Sequence, residues 1–390
     1  MSAIADTPPE LALPALDLRA LARRAAVLAA VVALLVAALV ALGGPLHTFA
    51  DALGRALRAD PRWVGAGAAF ELLSFGGYIA LLWLVGSRNS PRLHLRATAQ
   101  ITLGGAAATR MLPTGGAGGA ALTLWALRRA GLGARGATRT LLAFLVLLYS
   151  VFLGSIAVAG GAIALGIAHA DGPLALSAIP AALATAGIVA ALALAARPGA
   201  AAPVVEADAG APRAARARAA MRNAPATLGG AVRDAIALLR RGDVRLLGAP
   251  AWWAFDAAVL WAMLNAFGAP PALAVLVLAY FVGQIANTLP IPGAVSGGMV
   301  GVLLAFGVEP GLALTSVLAY RAIAIWLPTP IGLAALGGLR RTIAGWSAED
   351  RPAATDAPEA PAAPEVPVRR RDPQPRRSLR RPEPAMDLAA

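Results

Sequence analysis

The sequence predicts an all-α polytopic membrane protein with an inverted-topology repeat, in which each half has three transmembrane helices and one re-entrant helical hairpin. The first observation behind this is composition: the 390 residues are 58% hydrophobic and 14% charged, with a mean hydropathy of +0.67. Such values are typical of chains that span a bilayer. The second observation is a pair of glycine-proline breaks inside apolar segments, 177 residues apart. The third is the distribution of basic residues.

Six apolar stretches approach the roughly 20 residues that a helix needs to cross a bilayer. The first follows three Arg residues and is too long for the apolar region of a signal peptide, so we interpret it as a retained anchor. Two further segments, 97–128 and 272–307, are broken into shorter pieces, and each is predicted to enter and leave the membrane on one side. The six predicted spans are 25–46, 63–86, 138–168, 174–196, 249–268 and 312–336.

All 34 basic residues are Arg. With a cytoplasmic N-terminus, 29 of them lie on the cytoplasmic side, three lie outside, and Arg110 and Arg321 fall within the membrane. This asymmetry follows the positive-inside rule and predicts a multi-pass protein of the cell membrane with both termini cytoplasmic. By the same rule the hairpin of 97–128 enters from the cytoplasm and that of 272–307 from outside. Topology thus explains the net charge of +13, and we expect no nucleic-acid partner.

The first break (110–119) and the second break (287–296) belong to a wider duplication. Four residues are identical across the breaks at an offset of 177, and six more correspond downstream at an offset of 176, four of them identical and two similar. We assign the first repeat to about 25–168 and the second to about 174–340. Because three spans is an odd number, the second half is upside down relative to the first, an arrangement that places a substrate site near the midplane. The four matches are Leu112, Pro113, Gly116 and Ala117 with Leu289, Pro290, Gly293 and Ala294.

Three segments lie outside the predicted membrane core. Residues 1–24 are a cytoplasmic N-terminal segment, and 341–390 are a Pro/Ala/Arg-rich cytoplasmic tail whose composition predicts disorder. Residues 197–245 form a basic cytoplasmic loop. We expect this loop to be solvated, the alternative being that its stretch 226–239 forms an amphipathic helix that lies on anionic inner-leaflet lipids.

Two Arg residues are the first candidates for binding a substrate. Arg110 lies at the tip of the first hairpin, where a guanidinium can bind a phosphate bidentately. Arg321 lies in mid-span, where a charge costs about 2.5–3.5 kcal/mol, so it should face protein or water. The structural alternative for Arg321 is an ion pair with Glu71 or Asp256, the intramembrane acids.

The breaks themselves supply the other candidates. A helix that starts after a glycine-proline break presents free N–H groups and attracts phosphate or carboxylate, although the glycines at 115–119 are equally explained by tight helix packing. Tyr280, Gln284 and Asn287 share one helical face, which is predicted to line the cavity. The predicted substrate-binding residues are Arg110, Pro113, Gly115, Gly116, Gly118, Gln284, Asn287, Pro290, Pro292, Gly293 and Arg321.

Composition argues against several classes of site. The chain has no Cys, and its three His residues are scattered without metal-ligand spacing, so a zinc site is not expected. The glycine-rich first break has neither a preceding strand nor the ending of a P-loop. We therefore expect no catalytic residue, no metal and no cofactor, and we expect transport that is passive, ion-coupled or partner-driven.

The second break, together with Gly307, 319–321 and 328–332, resembles the C-terminal signature of the lysylphosphatidylglycerol synthase transmembrane family. The first break with 126–131 resembles that family's first motif, so the likeness covers about 25–340. The resemblance implies a flippase-like multi-pass domain with re-entrant helices. In the multiple peptide resistance factor such a domain moves aminoacylated phosphatidylglycerol between leaflets.

This chain departs from the family pattern at two acidic positions. Where many members have Gly-Glu in the first motif, it has Gly118 and Gly119, and where the second motif usually reaches a Glu, it has a residue near Met299. The soluble domain that charges the lipid is also absent from the sequence, because the tail is too short and too polar to fold as one. The resemblance therefore implies lipid transport without synthase activity.

We predict a flippase-like transporter for a phospholipid or another anionic lipid-linked substrate. One alternative is a non-catalytic membrane partner, or lipid-presenting scaffold, of a lipid-modifying synthase or glycosyltransferase. Another is a DedA-like transporter, which also uses paired re-entrant hairpins but has a different motif order. The expected partners are membrane lipids, anionic inner-leaflet lipids at the basic loops, and either a second copy of the chain or a lipid-modifying enzyme.

Overall fold

The computed structural model describes residues 59–111, 117–197, 213–288 and 293–350. Within these ranges the chain is helical and has no strand. The predicted first span lies outside the described residues, as do the centres of both breaks and the predicted tail from 351 onward. The described helices pack in a compact unit of residues 1–346, and of the second unit, 347–390, the structure describes 347–350.

Eleven α-helices and two short 3₁₀ turns make up the described part of the chain. The 3₁₀ turns are Val244–Leu247 and Ala286–Thr288. The helices are α1 (Pro61–Ser87), α2 (Leu95–Met111), α3 (Ala117–Arg129), α4 (Ala134–Ala164), α5 (Leu174–Ala196), α6 (Arg213–Leu239), α7 (Gly248–Phe267), α8 (Leu273–Ile285), α9 (Ala294–Ala305), α10 (Pro310–Trp326) and α11 (Pro328–Glu349).

Five stretches of the described chain are long and apolar enough to cross a membrane. They are α1, α4, α5, Val244–Phe267 and Pro310–Glu349, and each coincides with one of the predicted spans. An all-helical chain with this many apolar spans is an all-α polytopic membrane protein, because helices satisfy their own backbone groups in lipid. The coarse fold class predicted from composition is therefore confirmed.

Helices α1 and α7 pack against each other along their length. A Cβ on Gly77 would lie 2.8 Å from the carbonyl oxygen of Gly248, and one on Gly67 would lie 2.9 Å from the terminal methyl of Met263. Between these two crossings the Ser74 hydroxyl donates a 2.8 Å hydrogen bond to the Trp252 carbonyl oxygen. Small residues let membrane helices approach this closely, so the glycines of α1 set the distance between α1 and α7.

The two predicted hairpins correspond to two pairs of short helices that pack on each other. In the pair α2 and α3, a Cβ on Gly119 would lie 2.7 Å from the carbonyl oxygen of Gly105. In the pair α8 and α9, a Cβ on Gly283 would lie 3.0 Å from the backbone nitrogen of Met299. Gly119 therefore allows α2 and α3 to pack closely, which was the alternative to a role in binding phosphate.

Helix α6 replaces part of the predicted basic loop. Its Arg233 Nη1 donates a 3.0 Å hydrogen bond to the Ala195 carbonyl oxygen of α5, and Arg139 of α4 forms an ion pair with Asp234. A Cβ on Gly229 would lie 2.6 Å from the Leu194 carbonyl oxygen. The apolar face of 226–239 thus packs on protein, and the prediction of a solvated loop is wrong for the helical residues.

The predicted span 312–336 is divided at Leu327, between α10 and α11. Pro328 begins the new helix, since proline cannot donate the backbone hydrogen bond that would continue α10. Helix α11 then reaches Glu349, past the predicted boundary at 340. It contacts α2, where the Thr342 hydroxyl donates a 2.8 Å hydrogen bond to Gln100 Oε1.

Charged side chains join the neighbouring ends of α1 and α7. The carboxylate of Asp243 accepts hydrogen bonds of 3.0 and 2.8 Å from the Arg245 guanidinium and lies 3.8 Å from Arg88. The Arg245 guanidinium also stacks on the Trp83 ring at 4.7 Å. These hydrogen bonds, chiefly those of the Arg245 side chain, lower the pKa of Asp243 to about 2.

Replacing Gly77 by Leu tests the crossing of α1 and α7. The added side chain would meet backbone atoms of Gly248 and Trp252, which cannot move aside, so we expect the free energy of unfolding to fall by about 1–3 kcal/mol. Gly76→Leu is the matched control, because nothing lies within 4 Å of a Cβ at that position. The measurement is thermal unfolding in detergent, and equal melting of the two variants would contradict the proposed crossing.

Asp243→Asn tests the charged contact between α1 and α7, because Asn keeps the oxygen that caps the 3₁₀ turn and removes only the charge. The folded pKa lies below the unfolded value, so the contribution of Asp243 is fully present above about pH 4 and is lost as the pH falls towards 2. Wild type should therefore unfold at a higher temperature than the variant at neutral pH. The difference should shrink on acidification, and a difference that grows instead would refute the assignment.

Candidate functional site

A buried carboxylate is the centre of the candidate site. Asp256 lies within α7 with 7% of its surface exposed. Its Oδ2 accepts hydrogen bonds from the Tyr280 hydroxyl, from the Tyr320 hydroxyl at 3.1 Å and, weakly, from Gln284 Nε2 at 3.4 Å. A carboxylate oxygen accepts hydrogen bonds, and the three donors aimed at Oδ2 satisfy it without water.

Three helices supply the donors and the acceptor of this cluster. Tyr280 and Gln284 are four residues apart on α8, which places both side chains on one face of that helix. Tyr320 comes from α10, and its hydroxyl also accepts a 3.2 Å hydrogen bond from Gln284 Nε2. Both Tyr side chains are completely buried or nearly so, at 0 and 1% exposure. Water is thus excluded from the tyrosine side of the Asp256 carboxylate.

Glu71 of α1 is a second buried acid beside this cluster. Its side chain is 1% exposed. On the same helix Gly67 faces Met263 and Val259, and Ser74 bonds to Trp252. Glu71 lies between these two contacts with α7. Since the two helices run antiparallel, this register puts Glu71 opposite Asp256. Both intramembrane acids are therefore buried where α1 and α7 pack on each other.

Arg321 follows Tyr320 on α10 and is half-buried. Its charge acts on the Tyr320 hydroxyl, yet it forms no hydrogen bond or ion pair within the part of the chain that the structure describes. The structural alternative, an ion pair with Asp256, is wrong for this structure. Asp256 takes its hydrogen bonds from neutral tyrosines and glutamine instead, which leaves the guanidinium unneutralised by that acid.

The structure places one of the predicted site residues in the Asp256 cluster. Gln284 bonds to Tyr320, whereas Arg321 follows Tyr320 on α10 without a hydrogen bond to the cluster. Asn287 is exposed one turn beyond Gln284, and Gly293 begins α9 with a φ of 82°, a conformation that favours glycine. Gly118 is helical in α3. Arg110 lies in the last turn of α2, but its side chain is not described. The remaining predicted residues lie outside the described residues; they are Pro113, Gly115, Gly116, Pro290 and Pro292.

The sequence analysis recognised the two acids but missed their role as the centre of a hydrogen-bonded cluster. The signal was present in part, because an acid in an apolar span is costly and must find partners. Tyr320, directly before Arg321, was the overlooked donor. In the described part of the chain no group of three or more His, Cys, Asp or Glu could hold a metal ion.

Comparison with known families identifies the domain that carries this cluster. The family model described as the lysylphosphatidylglycerol synthase transmembrane region matches residues 24–332. The chain belongs to this family. The match extends from before α1 into α11, so it includes both helix pairs and every residue of the Asp256 cluster. This lipid-related membrane family agrees with the motif resemblance, whereas no curated protein matches the chain.

Tyr320→Phe tests whether the cluster stabilises the fold of this family member. It removes a hydroxyl that bonds to a buried charged group, so we expect the free energy of unfolding to fall by about 1.5–3 kcal/mol. Tyr149→Phe is the control, because Tyr149 is 49% exposed and should change stability by less than about 0.5 kcal/mol. Denaturant unfolding in detergent measures both, and equal stability of the two variants would argue against the cluster.

Proposed function

We propose that this protein is a flippase-like transporter that moves a phospholipid or another anionic lipid-linked substrate between the two leaflets, and that it is not an enzyme. The observation that carries the proposal is the guanidinium of Arg321 inside the membrane domain, which has no acidic partner among the residues that the structure describes. A membrane lipid phosphate is the anion most available to such a cation, and Arg binds phosphate bidentately. Family membership supports a lipid-related role.

We infer that Arg321 recognises a phosphate rather than stabilises the fold. A charge at mid-span costs about 2.5–3.5 kcal/mol, and structural Arg residues offset this cost through protein partners. Among the described residues Arg321 has no such partner. We infer that an anionic headgroup completes its coordination. Arg110, at the end of α2 near the first break, is the second cation proposed to hold the phosphate.

The inverted repeat remains part of this proposal, and helix boundaries support it. Helices α2, α3 and α4 start at 95, 117 and 134, while α8, α9 and α10 start at 273, 294 and 310. The glycine crossings repeat as well, since Gly105 with Gly119 in the first half has its counterpart in Gly283 with Gly298 in the second. The offset in residue number between corresponding helices and contacts varies by only a few residues, as a duplication would produce.

Helix length supports the proposal that both hairpins are re-entrant. The four hairpin helices have 17, 13, 13 and 12 residues, fewer than the roughly 20 needed to cross a bilayer. Two such hairpins from opposite faces would meet near the midplane, close to Arg321. Rocking of one half against the other would then expose the bound headgroup to each leaflet in turn.

The proposed orientation has both termini in the cytoplasm and the protein in the cell membrane. The Arg distribution supports it, because short loops with Arg favour the cytoplasmic side. In this orientation the basic start of α6 lies at the inner leaflet, where anionic lipids would attract it at about 1 kcal/mol per Arg. A second copy of the chain or a lipid-modifying enzyme is the protein partner we propose.

Lipid scrambling in reconstituted vesicles tests the proposed function. Purified wild type should accelerate the exchange of fluorescent phosphatidylglycerol between leaflets, and Arg321→Gln should slow it about tenfold or more, since a charge-assisted bond is worth about 1.5–3 kcal/mol. Arg241→Gln is the matched control, because that exposed Arg lies at the end of α6, away from the cluster.

Arg110→Gln belongs in the same assay, with an expected loss like that of Arg321→Gln. Full exchange by Arg321→Gln would refute the assignment of that residue. Wild-type protein that leaves the exchange of anionic and zwitterionic lipids unchanged would refute the transport function itself.

A further inference from the structure

Two adjacent hydroxyl side chains lie exposed in the middle of the longest described helix. Tyr149 is the central residue of α4, and both Tyr149 and Ser150 are exposed. At a rise of 1.5 Å per residue, Tyr149 lies about 22 Å from either end of α4, so it falls within a hydrocarbon core about 30 Å thick. Lipid tails offer no hydrogen-bond acceptor at this depth. A hydroxyl there needs another partner.

The two hydroxyls differ in how the protein satisfies them. Ser150 donates a 2.8 Å hydrogen bond to the Leu147 carbonyl oxygen of its own helix. Tyr149 forms no hydrogen bond with any residue that the structure describes. Its ring packs near Phe152 and Trp253, with 5.9 and 6.2 Å between ring centroids, yet 49% of Tyr149 stays exposed. The protein thus holds the ring and leaves the hydroxyl without an acceptor.

The central turn of α4 lies level with the end of α8. Phe152 packs on Phe281 with 5.1 Å between ring centroids, and a Cβ on Gly160 would lie 3.5 Å from the Leu278 side chain. Residue numbers therefore fall along α4 as they rise along α8, so the two helices are antiparallel. The turn of α4 before Phe152 is then level with the turn of α8 after Phe281. Tyr149 accordingly lies beside the end of α8, next to the second break.

The end of α8 also connects Tyr149 with the proposed headgroup site. Gln284 of this turn bonds to Tyr320, which precedes Arg321 on α10. Asn287, just beyond the end of α8, is exposed. We propose that Tyr149 binds the headgroup of the transported lipid at mid-membrane, where its hydroxyl donates a hydrogen bond to a phosphate oxygen. This assignment rests on the proposed function.

Depth and chemistry together favour a crossing headgroup as the occupant. The tails of a resting lipid have nothing that accepts a hydrogen bond from Tyr149, and its phosphate stays roughly 15–20 Å from the midplane. A phosphate therefore reaches Tyr149 only while it crosses. Removal from water costs the headgroup most at this depth, so a hydrogen bond made there lowers the barrier itself. Tyr149 should thus affect the rate of exchange more than the retention of lipid.

Tyr149→Phe tests the assignment in vesicles with fluorescent phosphatidylglycerol. Exchange should slow about fivefold or more, because a hydrogen bond to a charged group is lost at the barrier. The substitution keeps the ring and its packing, so thermal unfolding should be unchanged. Thr185→Val is the matched control, since Thr185 is the central residue of α5, is exposed, and already bonds to the Ala181 carbonyl oxygen. Its exchange should equal that of wild type.

Fluorescence quenching tests the contact itself. The chain has no Cys, so Ser150→Cys gives a single attachment point for a fluorophore beside Tyr149. Leu183→Cys puts the same fluorophore on the exposed middle of α5. Phosphatidylglycerol that carries a spin label on its headgroup should quench the fluorophore at 150 more strongly than at 183, and addition of Tyr149→Phe should abolish the difference. A spin label at the end of an acyl chain should quench both positions alike.

The possible results separate this assignment from the proposed function. Unchanged exchange by a stably folded Tyr149→Phe variant overturns the assignment. Equal headgroup quenching at 150 and 183, or a difference that survives Tyr149→Phe, overturns it as well. Wild type that exchanges no lipid overturns the proposed function. Headgroup quenching at 150 that depends on Tyr149 would in that case leave the contact standing, as a site for a bound lipid.

Discussion

The hydrogen bonds received by Asp256 are the interaction on which the rest of the structure depends. A carboxylate in an apolar helix bundle is tolerated only when donors surround it, because lipid offers no water to replace them. Its two tyrosines and one glutamine come from α8 and α10, so a single charge fixes the positions of three helices. The packing of α1 on α7 then brings Glu71 to the same level. The side chains that bond to Asp256 thus both stabilise the fold and form the candidate site. Removing one donor would therefore weaken the fold and alter the site at the same time.

Close backbone contacts at glycine complement this polar centre. Lipid tails are as apolar as leucine, so membrane helices associate mainly through packing and hydrogen bonds. The crossings at Gly77 and Gly248 and at Gly105 and Gly119 bring helix backbones to distances that no larger residue allows. These contacts hold short helices that would be marginal alone.

Hydropathy and charge predicted the spans well, because the length and apolar content of a helix are local properties of the sequence. The predicted stretches at 63–86, 138–168 and 174–196 reappear as α1, α4 and α5. The site was less accessible, since a helical spacing shows which residues share a face but not which helix that face meets. Tyr280 and Gln284 were correctly placed on one face, whereas their acceptor Asp256 was considered only as an alternative ion-pair partner of Arg321. The docking of α6 on α5 was missed for the same reason, because its basic composition conceals a contact made by Gly229.

The packing of α11 on α2 gives α11 a different partner from α10, the helix that precedes it. Gly332 lets α11 touch the backbone at Leu103, and Thr342 bonds to Gln100, so the last described helix is held against α2. Helix α10 is tied instead to Asp256 through Tyr320. Leu327 joins the two helices, and Pro328 cannot donate the backbone hydrogen bond that would continue α10. The two helices on either side of this joint are therefore held by different partners, so a change at α2 would act on α11 before it acts on α10.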